Sequence, residues 1–270
     1  MTPAMSSFRT IDVSDPRFEH EGLRHVTVKS AALRGRGDVT VWAPADATPQ
    51  ALVILLHGVY GSHWAWAMRG GAHRTAGRLI EGGDIPPVAL AMPSDGLRGD
   101  GSAYLRHGDG VDFERWIVDE VAAAAGAALP SLALDAPRFI AGLSMGGFGA
   151  LRLGAKYADR FRGISAHSAI TDFAQMGLFI EEDGAAFGTA AEDHSALGAI
   201  VGAGRTLPPL RFDCGIEDEL LEANRQLHRA LRAHGIAHVY EEFLGGHTWS
   251  YWETHLEATL RFFGKILRQP

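Results

Sequence analysis

Gly142-Leu143-Ser144-Met145-Gly146 sets a serine between glycines two residues to either side. A serine hydroxyl is a weak nucleophile until it projects from a sharp strand-to-helix turn toward a base, and such a turn crowds the residues two before and two after it. Gly142 and Gly146 remove the side chains that would collide. A serine used in this way needs a base, and the base needs a carboxylate to orient it. His247 lies between Gly245-Gly246 and the aromatic cluster Trp249, Tyr251 and Trp252, and it is the candidate base. Glu217 and Asp218 compete for the carboxylate. The chemistry these groups could perform is acyl transfer: attack of the Ser144 oxygen on a carbonyl carbon, a covalent acyl intermediate, and its release by water. The tetrahedral oxyanion on that path requires two converging backbone N–H donors. His57-Gly58-Val59-Tyr60-Gly61 offers one at Val59, and Met145, directly after the serine, offers the other.

Each of these groups follows an apolar run of strand length. Ala51 to Leu56 precedes His57, Phe139 to Ala141 precedes the serine turn, Leu210 to Cys214 precedes Glu217 and Asp218, and Ala237 to Phe243 precedes His247. Runs that are apolar throughout suit central parallel strands covered on both faces. Val88 to Met92 and Gly163 to His167 complete the set. Helical patterns separate them: His63 to Glu81, Val111 to Leu129, the segment opened by Ser144, Leu220 to Leu231 closed by Gly235, and a last helix burying Trp252, Leu256, Leu260, Phe263 and Leu267. Alternating strands and helices predict one α/β domain with a mostly parallel sheet. An antiparallel hairpin, Leu23 to Lys29 and Val39 to Ala43 with a turn at Gly35 to Asp38, is expected to open it. Residues 1–20 read as a surface lead-in and 21–270 as the single domain. Residues 169–206 lose periodicity and are rich in Gly, Ala and acidic side chains, so they are expected to be an insertion, a lid or rim over the site or a plain surface excursion. Every candidate group falls at the carboxyl end of a strand, where open α/β sheets place their sites.

Composition narrows the classes. The 270 residues can bury a full core, and a hydrophobic fraction of 46% with 21% charged residues is ordinary for a globular protein. A net charge of −7 without a basic block argues against nucleic acid as a partner. No apolar run approaches the roughly 18 residues of a membrane span, and residues 1–20 show no signal-peptide core. The single cysteine, Cys214, excludes an internal disulfide and suits a reducing compartment, so a cytoplasmic location is expected. Cys214 lies inside a strand and reads as a buried, inert thiol. Of the thirteen histidines, His57 is read as shaping the oxyanion turn, and His20, His228, His234 and His238 as surface residues. No grouping of His, Asp and Glu has metal-ligand spacing, so no metal and no organic cofactor is expected.

Four motifs in this order resemble the esterase D family of α/β-hydrolases, a group that includes S-formylglutathione hydrolases, short-chain carboxylesterases, feruloyl esterases and mycolyltransferases. They are Leu55-Leu56-His57-Gly58, Gly142 to Gly147, Cys214 to Asp218 with Glu222-Ala223-Asn224, and Gly245 to Trp249 with Tyr251-Trp252. The likeness runs from about residue 23 to 267. It implies an α/β-hydrolase fold, Ser144 as nucleophile, Asp218 as acid, His247 as base, and Val59 and Met145 as backbone oxyanion donors. Tyr60 and Trp249 are the expected substrate contacts. A Tyr often begins the helix near residue 113 in that family, and Phe113 stands here instead. The expected activity is hydrolysis of short-chain or aryl esters, with a small-molecule ester as partner and a homo-oligomer as an open alternative. Rival readings are an S-formylglutathione hydrolase, an acyltransferase and a non-catalytic binding protein. Oxygen esters are expected to be preferred over S-formylglutathione. Tyr60 is bulky, the oxyanion loop lacks a cysteine, and Glu181, Glu182, Asp183, Glu192 and Asp193 would repel glutathione's carboxylates if the insertion overhangs the site.

Overall fold

The structure, a computed structural model, describes residues 8–269. Its strands in chain order are β1 (Ile11–Val13), β2 (Arg24–Ser30), β3 (Gly35–Trp42), β4 (Leu52–Leu56), β5 (Ala89–Pro93), β6 (Arg138–Leu143), β7 (Gly163–His167), β8 (Leu210–Gly215) and β9 (Val239–Phe243). Among the described residues they form one sheet in the order β1-β2-β3-β5-β4-β6-β7-β8-β9. Pairing is antiparallel from β1 to β5 by way of β2 and β3, and parallel from β5 onward. From β4 the chain crosses to β5 on one side and later returns to β6 on the other. That reversal opens a crevice at the carboxyl ends of β4 and β6.

The helices are α1 (Ala65–Met68), α2 (Ala72–Glu81), α3 (Phe113–Arg115), α4 (Val121–Ala128), α5 (Met145–Lys156), α6 (Ala196–Ala203), α7 (Leu221–Ala233) and α8 (Trp249–Leu267). Strand alternation divides the core in two. Leu52, Ile54 and Leu56 of β4 and Ile140 of β6 face a core completed by α4, α5, α6 and α7. Val53, Leu55, Phe139 and Ala141 face the other, completed by α2 and α8. A strand with apolar side chains on both faces is what the unbroken apolar runs predicted.

The N-terminal region departs from expectation. Residues 11–13 are a strand rather than lead-in, with Ile11, Asp12 and Val13 paired to Val28, Thr27 and Val26. The hairpin turn falls at residues 31–34, with Arg34 at a φ of 52°, and Gly35 to Asp38 are already paired in β3. Gly37 serves packing, since a Cβ there would meet the Trp116 ring at 2.6 Å. The predicted helix over 63–81 is two, broken at Gly70-Gly71, where Gly71 takes a φ of 55°. The predicted helix over 111–129 is continuous but carries a π-helical turn, Trp116–Glu120, between α3 and α4. The insertion contains α6, which packs against α5 through Ala196 and Ile200.

Candidate active site

β6 ends in the serine turn because two glycines let two strands and a helix meet. A Cβ on Gly142 would stand 2.2 Å from the Gly146 carbonyl oxygen, and one on Gly146 would stand 2.3 Å from that of Leu56. Ser144 itself takes φ 53° and ψ −121°, a conformation that costs a non-glycine residue roughly 1–3 kcal/mol. Its amide donates to the His167 carbonyl at 3.0 Å, and its own carbonyl accepts from Phe148 N at 3.1 Å. The strain is held by the first turn of α5 on one side and by β7 on the other.

Register brings the remaining groups to the same place. Leu56 of β4 lies opposite Gly142 of β6, so residues 57–61 run beside Ser144. Gly215 of β8 lies opposite Phe243 of β9, so the acid turn and the histidine loop leave the sheet together. Ile216 N donates to Phe243 O at 2.8 Å and Glu217 N to Gly245 O at 3.0 Å, locking the two turns. That lock points Glu217 to solvent and Asp218 inward, so the carboxylate at the imidazole is that of Asp218. His247 Nδ1 is 3.1 and 3.0 Å from the two Asp218 oxygens, and His247 Nε2 is 3.0 Å from Ser144 Oγ. Asp218 Oδ1 also accepts from Leu220 N at 2.9 Å. Burial pushes the Asp218 carboxyl upward, but the hydrogen bond and charge of His247 outweigh it and hold the group below the usual carboxylate range. An ionised carboxylate only accepts, so Nδ1 carries the proton and Nε2 is free to accept one from the serine.

Two amides near the serine, of Val59 on the same cavity and of Met145 next in the chain, have no backbone acceptor among the described residues. Val59 N has no backbone acceptor among the described residues, whereas Tyr60 N donates to Asp100 O at 2.9 Å and Gly61 N to Gly58 O at 3.2 Å. Met145 opens α5, and a first helical N–H has no acceptor within its own helix. His57 is buried and is not a base for Ser144. It contacts Gly58 O through Nδ1 at 2.7 Å and accepts from Asp95 N through Nε2 at 3.2 Å, which fixes the turn that presents Val59. Behind it Tyr104 OH donates to His57 O at 3.0 Å.

A cavity of about 430 Å³ opens over Ser144 and His247. Aromatic side chains wall it: Tyr60, Trp64, Phe179, Trp249 and Trp252. Tyr60 and Trp249, expected there from the sequence, both line it. Phe179 and Arg69 were not foreseen. Phe179 stacks on the His247 ring with centroids 5.1 Å apart, and Trp252 meets that ring edge-on at 5.0 Å. Phe179 is the residue of the insertion that lines the cavity among the described residues. The insertion is fastened to the loop after β5, where Glu181 N donates to Asp100 Oδ2 at 2.8 Å, Asp100 N to Glu182 Oε2 at 3.0 Å and Gly108 N to Phe187 O at 2.9 Å. The acidic side chains do not overhang the site together. Glu181 and Glu182 stand at the Tyr60 edge, Asp183 caps its own turn through Ala185 N, and Asp193 pairs with Arg152 and Lys156.

Another His–Asp pair lies beneath the site and was not foreseen. His167 and Asp213 are wholly buried with Nδ1 2.9 Å from Oδ2, and Arg211, Tyr251 and Thr259 complete their bonding. Both nitrogens of His167 are occupied and neither reaches Ser144. Its role is to hold the strand whose carbonyl receives the Ser144 amide. Cys214 is buried in β8, and burial with the nearby Asp218 and Asp213 charges pushes its thiol well up, which suits an inert residue. His228 and His238, expected at the surface, are half-buried and hydrogen-bond each other at 2.8 Å.

Similar proteins bear on what such a site does. The acetyl esterase of Caldicellulosiruptor saccharolyticus is 28% identical, with 79% of this chain and 83% of that one covered. A solved ferulic acid esterase superposes with a TM-score of 0.76 at 24% identity, covering 96% of this chain and 99% of the other. The S-formylglutathione hydrolase of Staphylococcus aureus does so with a TM-score of 0.75 at 20% identity, covering 91% and 98%. At such identities the two structures speak for the fold, an α/β-hydrolase fold. The model of the Esterase family matches residues 30–263. The chain belongs to that family and is a serine ester hydrolase.

Proposed function

We propose that Ser144, His247 and Asp218 are the nucleophile, base and orienting acid of a carboxylesterase acting on short-chain or aryl acyl esters. The observation that carries this is the unbroken contact from Asp218 through both nitrogens of His247 to Ser144 Oγ, beside two unassigned amide N–H groups. His247 Nε2 takes the serine proton as Oγ bonds to the carbonyl carbon. The carbonyl oxygen becomes an oxyanion that receives hydrogen bonds from Val59 N and Met145 N. His247 returns the proton to the departing alcohol oxygen as the ester C–O bond breaks. A water then gives its proton to Nε2 and attacks the acyl carbon, and Nε2 passes that proton to Ser144 Oγ as the bond between Oγ and the acyl carbon breaks, freeing the acid and restoring the serine. Asp218 keeps the proton of Nδ1 in place throughout.

The aromatic walls support an acyl or alcohol group of modest size, and Tyr60 and Trp249 are proposed as its contacts. A lone buried cysteine supports a reducing compartment, and we place the enzyme in the cytoplasm on that ground. Among the described residues no helix is long and apolar enough to cross a membrane. The test is a panel of 4-nitrophenyl esters of rising acyl length, together with S-formylglutathione and an added alcohol acceptor. Short oxygen esters are expected to have the highest kcat/KM. A value near about 10⁸ M⁻¹s⁻¹ for the thioester, above every oxygen ester, would make the protein an S-formylglutathione hydrolase. Transfer to the alcohol outrunning hydrolysis would make it an acyltransferase.

A further inference from the structure

Among the described residues that line the cavity over Ser144, Arg69 is the single side chain of permanent charge. It follows α1 directly, and its guanidinium carbon lies 5.4 Å from the centroid of the Trp249 ring. No carboxylate or carbonyl of the described residues meets that guanidinium. By contrast Arg74, Arg78 and Arg98 nearby in sequence each close an ion pair. Trp249 is itself immobilised. Trp66 and Trp252 meet it edge-on at 5.7 and 5.4 Å, and a Cβ on Gly70 would stand 3.0 Å from its ring. An arginine laid on a fixed indole keeps its planar fork free while losing little further side-chain entropy on binding an anion.

Negative charge near the site is carried by residues that do not line the cavity. Asp100, Glu181 and Glu182 stand at the Tyr60 edge, and partial desolvation, followed by those three carboxylates, raises the Tyr60 phenol above its ordinary range. None of those carboxylates lines the cavity, so the permanent charge a ligand meets on its wall is that of the unpaired Arg69. The chain as a whole is at −7, but screening over about 8 Å at physiological salt leaves the local groups in control.

We infer that the ester this site is built for carries an anionic group, a carboxylate or its equivalent, that Arg69 binds at the Trp249 end of the cavity while the ester carbonyl lies at Ser144. The inference rests on the esterase reading above and adds the charge of the substrate to it. Arg69 is a specificity residue and takes no part in the bond changes.

Two matched pairs of esters test it: 4-acetoxybenzoate against its methyl ester, with the charge on the leaving group, and mono-4-nitrophenyl glutarate against its methyl ester, with the charge on the acyl group. Each kcat/KM is divided by the rate of hydrolysis of that ester by hydroxide, which removes intrinsic reactivity. A charge-assisted contact on an exposed arginine at the cavity wall is expected to favour the anion in at least one pair by about tenfold, and to weaken toward about 0.5 M salt. In Arg69→Gln that ratio falls to about one, in Arg69→Lys it is intermediate, and in Arg69→Glu it drops below one. A wild-type ratio near one in both pairs overturns the inference, as does a ratio that survives in Arg69→Gln, for then Arg69 only braces Trp249. If the wild-type protein hydrolyses none of the four esters and Ser144 resists a fluorophosphonate, the esterase reading falls and this inference with it. Hydrolysis of all four without charge preference defeats the inference alone.

Discussion

Three carboxylates lie within six residues around the end of β8, and the structure gives each a different fate, so their amides separate the proposed roles. In Asp218→Asn the side chain keeps an oxygen to accept from Leu220 N, as Asp218 does at 2.9 Å, and the fold should persist. What changes is the face toward His247. The amide NH₂ can replace one of the two oxygens now 3.0 and 3.1 Å from Nδ1. Nδ1 then becomes the acceptor and Nε2 takes the proton, so the nitrogen 3.0 Å from Ser144 Oγ has no lone pair to receive the serine proton. Loss of the correct tautomer at such a site costs about 10⁴ in kcat, or about 5.4 kcal/mol of barrier at about 1.36 kcal/mol per tenfold. KM for 4-nitrophenyl acetate should move far less. Glu217→Gln should stay within about twofold, because Glu217 is exposed and holds the acid turn through its backbone. Asp213→Asn should act on stability. It leaves buried Arg211 with Glu241 as its one carboxylate partner among the described residues, and breaking a buried pair costs about 3–5 kcal/mol. The assay is kcat and KM for the three variants beside their melting temperatures. If Asp218→Asn keeps a tenth of the activity while Glu217→Gln loses a thousandfold, the acid has been misassigned and the tautomer argument fails.

Ser144→Ala should lose on the order of a millionfold in kcat while melting within a few degrees of the parent. Ser144→Gly should be equally inactive yet more stable than Ser144→Ala by about 1 kcal/mol, because glycine relieves the φ of 53° that alanine retains. Equal melting temperatures would show that the turn holds no strain. Phe179→Ala should raise KM for aryl esters by about three- to tenfold, the worth of one aromatic contact, with a smaller change in kcat. An unchanged KM would remove Phe179 from the substrate's surroundings. For acid stability, burial works against the Asp213 carboxylate, but His167, Arg211 and Tyr251 prevail and hold its folded pKa below the unfolded value of about 3.9. Its contribution is therefore complete above that value and is lost as pH falls through the folded one. Asp213→Asn should flatten the decline of melting temperature below about pH 4, and an unchanged slope would count against the pairing.

The serine turn and the central strands were legible because each obeys a local steric or solvation rule. Only glycine fits where Gly142 meets Gly146, and only a fully apolar run survives burial on both faces of a sheet. The choice between Glu217 and Asp218 was not legible from local pattern, since neighbouring residues on a turn differ in direction rather than type. It depends on the pairing of two turns, Ile216 to Phe243 and Glu217 to Gly245, whose partners lie far along the chain. β1 was missed because three residues paired at a sheet edge leave too short a pattern to read. α6 was missed because Ala196–Ala203 is apolar throughout, without the polar stripe that marks a surface helix, and it forms against α5.

The electrostatics of the cavity show most plainly why composition stops short of function. Residues 169–206 hold six acidic residues, and five of them, Glu181, Glu182, Asp183, Glu192 and Asp193, were expected to repel anions if that segment overhangs the site. A carboxylate's influence depends on what already neutralises it. Asp193 lies between Arg152 and Lys156, and Asp183 is bound to a turn amide. Glu192 lies away from the cavity over Ser144, Glu182 accepts from the Asp100 amide, and Glu181 and Glu182 are felt at Tyr60 without lining the cavity. Arg69 is the converse case. In sequence it is one of many arginines and follows a helix of four residues. What distinguishes it is that no carboxylate among the described residues pairs with it and that the indole of Trp249, at the start of the last helix, lies beneath it. The charge a substrate meets is thus set by the few side chains the fold leaves unpaired, and those emerge only once every other pairing has been assigned.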